Sequence, residues 1–207
     1  ETRAASPAGF FGSWQAMDTY LGLEAISKNG FRMSEAAIPA RLFRREAEIW
    51  PATVKSAALH QQAPLTLTHN DVHLRNWYIA GSGQMGLADW QNFGKGHWSR
   101  DFAYTVSTSL TTKDRAAWEK ELLRRYLDQL HAAGGAAIAF SEAWKLYRQS
   151  LFSALVWWTG TLGLPAAYGK ANTETEDLIQ PRDAQLALIG RMATAVDDLD
   201  ALESFEA

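Results

Sequence analysis

Seven residues able to do polar chemistry fall within 33 positions: His69, Asp71, His73, Asn76, Asp89, His97 and Asp101. The flanking segments are apolar and read as helix, whereas the stretch from Thr68 to Tyr104 is interleaved with short β-type runs. Loops between strands commonly carry function, because a rigid scaffold aims their side chains. Phosphoryl transfer asks for what this stretch holds. The attacking hydroxyl needs a carboxylate to orient it and accept its proton. A triphosphate needs Mg²⁺, a hard cation that takes oxygen ligands. One solution places Asp-x-x-x-x-Asn on a loop and a second Asp after a hairpin. Here Asp71 is followed by Asn76 at +5 and by Asp89 at +18. A rival chemistry is a metallohydrolase cluster of His69, Asp71, His73 and Asp89. The remaining histidines, His60, His97 and His131, supply no second ligand pair for it.

The elements that must position these residues are legible in part. Trp77–Ala80, a Gly81-Ser-Gly83 turn and a run from Gly86 to Asp89 predict a β-hairpin over residues 77–89, folding Asn76 and Asp89 towards one cleft. Leu65–Thr68 is another short β run. Upstream, Trp14, Met17 and Leu21 share a face of a helix over 13–28 that Asn29-Gly30 is expected to stop. Pro39 opens a second helix carrying Leu42 and Ile49, which Pro51 breaks or kinks before it resumes to about His60. Downstream, Trp118, Leu122, Tyr126 and Leu130 recur at intervals of four until Gly134-Gly135, and Ser141 is the expected N-cap of the next helix. The uncharged run Leu151–Gly169 approaches membrane-spanning length, but Gly160, Gly163 and Pro165 interrupt it. It reads as a buried core helix ending near Gly160. Pro181 precedes a last helix striped by Leu186, Ile189, Met192, Val196 and Leu199. The fold class is mainly α with a small β-hairpin element (α+β), one domain over residues 1–207.

The blocks themselves carry a resemblance. His69-Asn-Asp71-Val-His73-Leu-Arg-Asn76 resembles the His-Gly-Asp-x-His-x-x-Asn loop of the aminoglycoside phosphotransferase and choline kinase superfamily. Leu87-Ala-Asp89-Trp-Gln91 resembles the Asp-Trp-Gln variant of its metal-binding motif, found in ecdysteroid-kinase-like proteins. Arg100-Asp101-Phe-Ala-Tyr104 is similar to its later Asp-Leu-Ala segment. The resemblance covers roughly residues 40–205 and implies the C-terminal lobe of a protein-kinase-like fold. It implies ATP and Mg²⁺ as cofactors and a hydroxyl of a small molecule as acceptor. By the same resemblance Asp71 is the catalytic base, and Asn76 and Asp89 bind the metal and, through it, ATP. His69 braces the loop, and Asp101 is a buried structural carboxylate. Asn70 stands where the family usually has Gly. A Gly-rich phosphate loop and a strand-borne Lys are not found before residue 40. The N-terminal lobe is therefore expected as a missing part of the same polypeptide, and the chain alone is expected to be inactive. A non-catalytic kinase-fold scaffold is the alternative.

Some roles stay open. His73 is either a substrate contact or an exposed loop residue. Trp98 and the pair Trp157-Trp158, with Tyr104 and Tyr168, are either core or the lining of an acceptor pocket. Asp197, Asp198 and Asp200 read as a solvated face. The chain has 207 residues, no cysteine and a formal charge of −3, with 47% apolar residues. That excludes a disulfide framework, a thiolate nucleophile and a zinc–thiolate site, and it lacks the basic footprint of a nucleic-acid binder. Glu1 is not Met, so a processed chain or a piece of something longer is expected. No apolar signal core opens it, and a cytoplasmic protein without a membrane span is the expectation. The aromatic content, 9 Trp, 6 Tyr and 9 Phe, favours an apolar or ring-bearing acceptor over a polycationic one.

Overall fold

The computed structural model describes residue 18, residues 22–164 and residues 181–206. Trp14, Met17, Leu21, Pro165 and Tyr168 lie outside the described residues. What is described is mainly helical, with two small antiparallel sheets.

The centre is helix α6, Phe140–Gly163, apolar on nearly all sides from Leu151 to Val156 and therefore buried on all sides. It starts after Ala139, so Ser141 lies inside the helix and is not its N-cap. Around α6 pack α1 (Leu23–Met33), α3 (Glu46–Gln61), α4 (Trp98–Ser109), α5 (Thr112–Ala132) and α7 (Arg182–Asp198). The α7 stripe buries Ile189, Met192 and Val196, and Leu123 of α5 is fully enclosed. Among the described residues, no helix is long and apolar enough to cross a membrane.

Three expectations about helix ends are corrected. Helix α1 runs through Asn29-Gly30 to Met33, and α6 runs through Gly160 to Gly163. The glycines serve contact, not termination. A Cβ on Gly30 would lie 1.8 Å from the Thr159 carbonyl oxygen, and one on Gly163 would lie 2.0 Å from that of Ile26. The break expected at Pro51 falls instead at Arg44-Arg45, between α2 (Ala40–Phe43) and α3. Pro51 and Ala47 are both exposed, so water reaches the carbonyl that the missing N–H leaves unbonded.

Strands β2 (Trp77–Ile79) and β3 (Met85–Leu87) form the predicted hairpin, with Trp77 opposite Leu87. Gly83, at φ +79°, closes its turn by donating its N–H to the Ala80 carbonyl. Strand β1 (Thr66–Thr68) pairs with β4 (Gly94–Gly96), which the sequence did not reveal. The acidic face at the end of α7 is not simply solvated. Arg41 bonds Asp197 and Asp200, while the fully buried Arg115 bonds Asp198 and Glu119.

Candidate active site

The loop after β1 is built on a left-handed residue. Asn70 has φ +70°, a conformation open to Gly and tolerated by Asn. Its side chain holds the bend from both sides. Asn70 Nδ2 donates to the Asn92 carbonyl at 2.8 Å, and Arg100 donates to Asn70 Oδ1 at 2.5 Å. Burial brings the Arg100 guanidinium down to about 10, still a cation at neutral pH. Asp101, in the first turn of α4, accepts the backbone N–H groups of His69 at 2.6 Å and Asn70 at 3.0 Å. Its carboxylate is partly exposed, not buried as expected.

His69 is 2% exposed and joins two segments. Its Nε2 donates to the Ala88 carbonyl at 2.8 Å, while its Nδ1 accepts the Asp71 N–H at 3.3 Å. Those two partners together fix the Nε2–H tautomer. Trp90 covers the ring edge-on, with 4.6 Å between centroids.

Asn76 ends a short 3₁₀ turn, Leu74–Asn76, and is buried. Its Nδ2 donates to the Asp71 carbonyl at 2.7 Å, and its own carbonyl accepts the Ala88 N–H at 2.8 Å. The nitrogen is thus committed to the loop, and the amide oxygen receives no bond from a described residue. Asp89, next to Ala88, is exposed and left-handed at φ +59°. Gln91 Nε2 donates to Asp89 Oδ2 at 3.4 Å. An amide oxygen and a carboxylate are donor types that Mg²⁺ takes, and here they stand on two segments bonded to each other. Among the described residues no three His, Asp or Glu side chains converge as a metal site.

The Asp71 carboxylate is largely enclosed. Tyr104 donates its hydroxyl to Asp71 Oδ1 at 3.2 Å, and His73 Nε2 lies 3.4 Å from the same oxygen. Burial holds His73 below its usual basicity, opposed by attraction from both Asp71 and Asp89. Its ring meets Trp158 edge-on at 5.8 Å, and Trp158 Nε1 donates to Tyr104 at 2.8 Å. His73 is therefore a largely enclosed neighbour of Asp71, not an exposed loop residue. Trp98 packs among His97, Phe102 and Tyr126 in the core. Trp157 packs against the core, and it is Trp158 that reaches the Asp71 neighbourhood. Sequence reasoning missed α4 as a helix. With it, Asp101 and Tyr104, three positions apart, would have been placed on one face towards the loop.

A profile of the phosphotransferase enzyme family matches residues 14–140, and the chain belongs to that family. No curated protein and no solved structure matches it.

Proposed function

We propose that this chain is the C-terminal lobe of a kinase-like enzyme that moves the γ-phosphoryl group of ATP onto a hydroxyl of a small molecule. The supporting observation is the double commitment of Asn76. Its amide nitrogen fixes the backbone of Asp71, and its carbonyl fixes Ala88 beside Asp89. One residue thereby ties the candidate base to the candidate metal carboxylate.

In this reading Asp71 orients the acceptor hydroxyl and takes its proton late, as the bond to phosphorus forms. Asn76 Oδ1 and the Asp89 carboxylate are the groups that would hold Mg²⁺. Bound Mg²⁺ supplies charge neutralisation at the phosphate oxygens. His69 and Asp101 hold the loop that carries Asp71. A lobe of the same polypeptide that grips ATP is the partner this reading requires. The aromatic content, 9 Trp, 6 Tyr and 9 Phe, favours an apolar or ring-bearing acceptor over a polycation. The metallohydrolase alternative needs three or more converging ligands, and no observation favours it.

The test is kinetic, on the full-length polypeptide with magnesium and ATP. Asp71→Asn is nearly isosteric and should lower turnover by about 10²–10⁴-fold with little change in ATP affinity. Asp89→Asn should lose activity that added magnesium partly restores, a rescue that Asp71→Asn should not show. Wild-type turnover in Asp71→Asn would overturn the assignment of the base.

A further inference from the structure

We infer that Tyr104, held by Trp158, is a positioning residue for Asp71: it locks one carboxylate oxygen and leaves the other to meet the acceptor hydroxyl. This rests on the phosphotransferase reading above.

The direction of the chain follows from donor chemistry. An indole N–H only donates. Trp158 Nε1, 2.8 Å from the Tyr104 oxygen, therefore makes that oxygen an acceptor. The single phenol hydrogen must point elsewhere, and Asp71 Oδ1 stands 3.2 Å away. His73 Nε2 approaches the same Oδ1 at 3.4 Å. Both side-chain neighbours of the carboxylate thus meet Oδ1, and Oδ2 receives no bond from a described residue. The anchors are rigid. Tyr104 is 2% exposed, on α4, and Trp158 is 7% exposed, on α6. Burial and the Asp71 charge keep the Tyr104 phenol well above its usual acidity range, so it remains a donor and never competes as a base. A carboxylate free to rotate would offer either oxygen in many directions. Pinned at Oδ1, it presents Oδ2 along one line, which is an orientation effect on rate.

Two measurements on the full-length protein test this. The first needs no activity. The Tyr104 hydroxyl proton and the Trp158 indole proton should both exchange slowly by NMR. Asp71→Ala should shift and expose the hydroxyl proton, and Tyr104→Phe should expose the indole. A hydroxyl proton indifferent to Asp71→Ala overturns the proposal. The second uses magnesium-ATP hydrolysis, with water as the acceptor. Tyr104→Phe should lower kcat about tenfold with KM for ATP unchanged, the loss of one oriented hydrogen bond. In an Asp71→Asn background the same change should cost nothing further. Tyr104→Phe/Trp158→Phe removes the stranded indole donor, so it should recover melting temperature but not kcat. Additive losses in the two backgrounds would make Tyr104 merely structural. Full turnover in Asp71→Asn would instead overturn the assignment of Asp71 as the base, on which this inference rests.

Discussion

The Asp101 carboxylate accepts two backbone N–H groups at the bend that carries Asp71. Both donors would lose their partner in Asp101→Ala, and unpaired donors of this kind cost about 1–3 kcal/mol. Asp101→Ala should therefore lower the free energy of chemical denaturation by about that amount, and Asp101→Asn, which keeps one accepting oxygen, by less. Unchanged denaturation in the Ala variant would show that water at this partly exposed site replaces the carboxylate. That Asp71, Asn76 and the segment leading into Asp89 come together was open to reading from the sequence because spacing and motif are local. Asn70 was visible as a departure from Gly, and its φ of +70° gives the reason Asn is accepted there. The Tyr104 and Trp158 contacts were not legible. Trp158 lies 87 residues after Asp71, and nothing in its immediate sequence says which of two adjacent tryptophans turns inward.

Helices α1 and α6 touch backbone to backbone at Gly30 and Gly163, and the contact is reinforced by Ser27 Oγ and Thr159 Oγ1, 2.7 Å apart. A methyl group at Gly30 meets a carbonyl oxygen at 1.8 Å, and backbone cannot step aside as a flexible side chain can. Gly30→Ala should therefore destabilise the fold by about 1–3 kcal/mol or more, against the usual benefit of Ala in a helix. Gly81→Ala, in the hairpin turn with nothing within 4 Å, is the control and should be near neutral. A Gly30→Ala protein melting with the wild type would mean that the two helices separate at little cost. This contact also explains what the sequence concealed. Gly at a helix end and Gly at a helix crossing look the same locally, and Gly163 lies 133 residues from Gly30. The β2–β3 hairpin was legible because its turn is local. The β1–β4 pair was not, since β4 reads Gly-Lys-Gly. Glycine is a poor strand former, yet Gly96 is needed because a Cβ there would meet Thr68 Oγ1 at 2.7 Å.

Across the whole molecule, a buried polar chain joins the helices beneath the site. His97 caps α4 by accepting the Ser99 N–H on its Nδ1, which lies 2.7 Å from Ser99 Oγ. Ser99 Oγ is 2.7 Å from Ser150 Oγ on α6, which lies 3.3 Å from His60 Nε2 on α3. The two imidazoles stack, with 5.2 Å between centroids. Burial lowers His60 from 6.5 to about 3, assisted by repulsion from His97 and Arg100, and burial lowers His97 to about 4. Both are therefore neutral in the fold and protonate readily only when it opens. Below the unfolded value near 6.5 the unfolded chain binds more protons, so stability is fully present above that pH. It falls as pH drops towards the folded values, with a slope approaching about 1.4 kcal/mol per pH unit for each such group. Between pH 6.5 and about 5, carboxylates are still largely ionised, so histidines dominate the window. His73, also lowered by burial, acts in the same direction. The melting temperature should decline across this window. In His60→Gln/His97→Asn, the amides reproduce Nε2 and Nδ1 as hydrogen-bonding positions without a titrating proton. Most of the decline should disappear there, leaving the part due to His73. A wild-type melting temperature that stays flat from pH 7 to 5 would show that water enters the network and solvates the imidazolium, opening the junction of α3, α4 and α6 on which the placement of Asp101 depends.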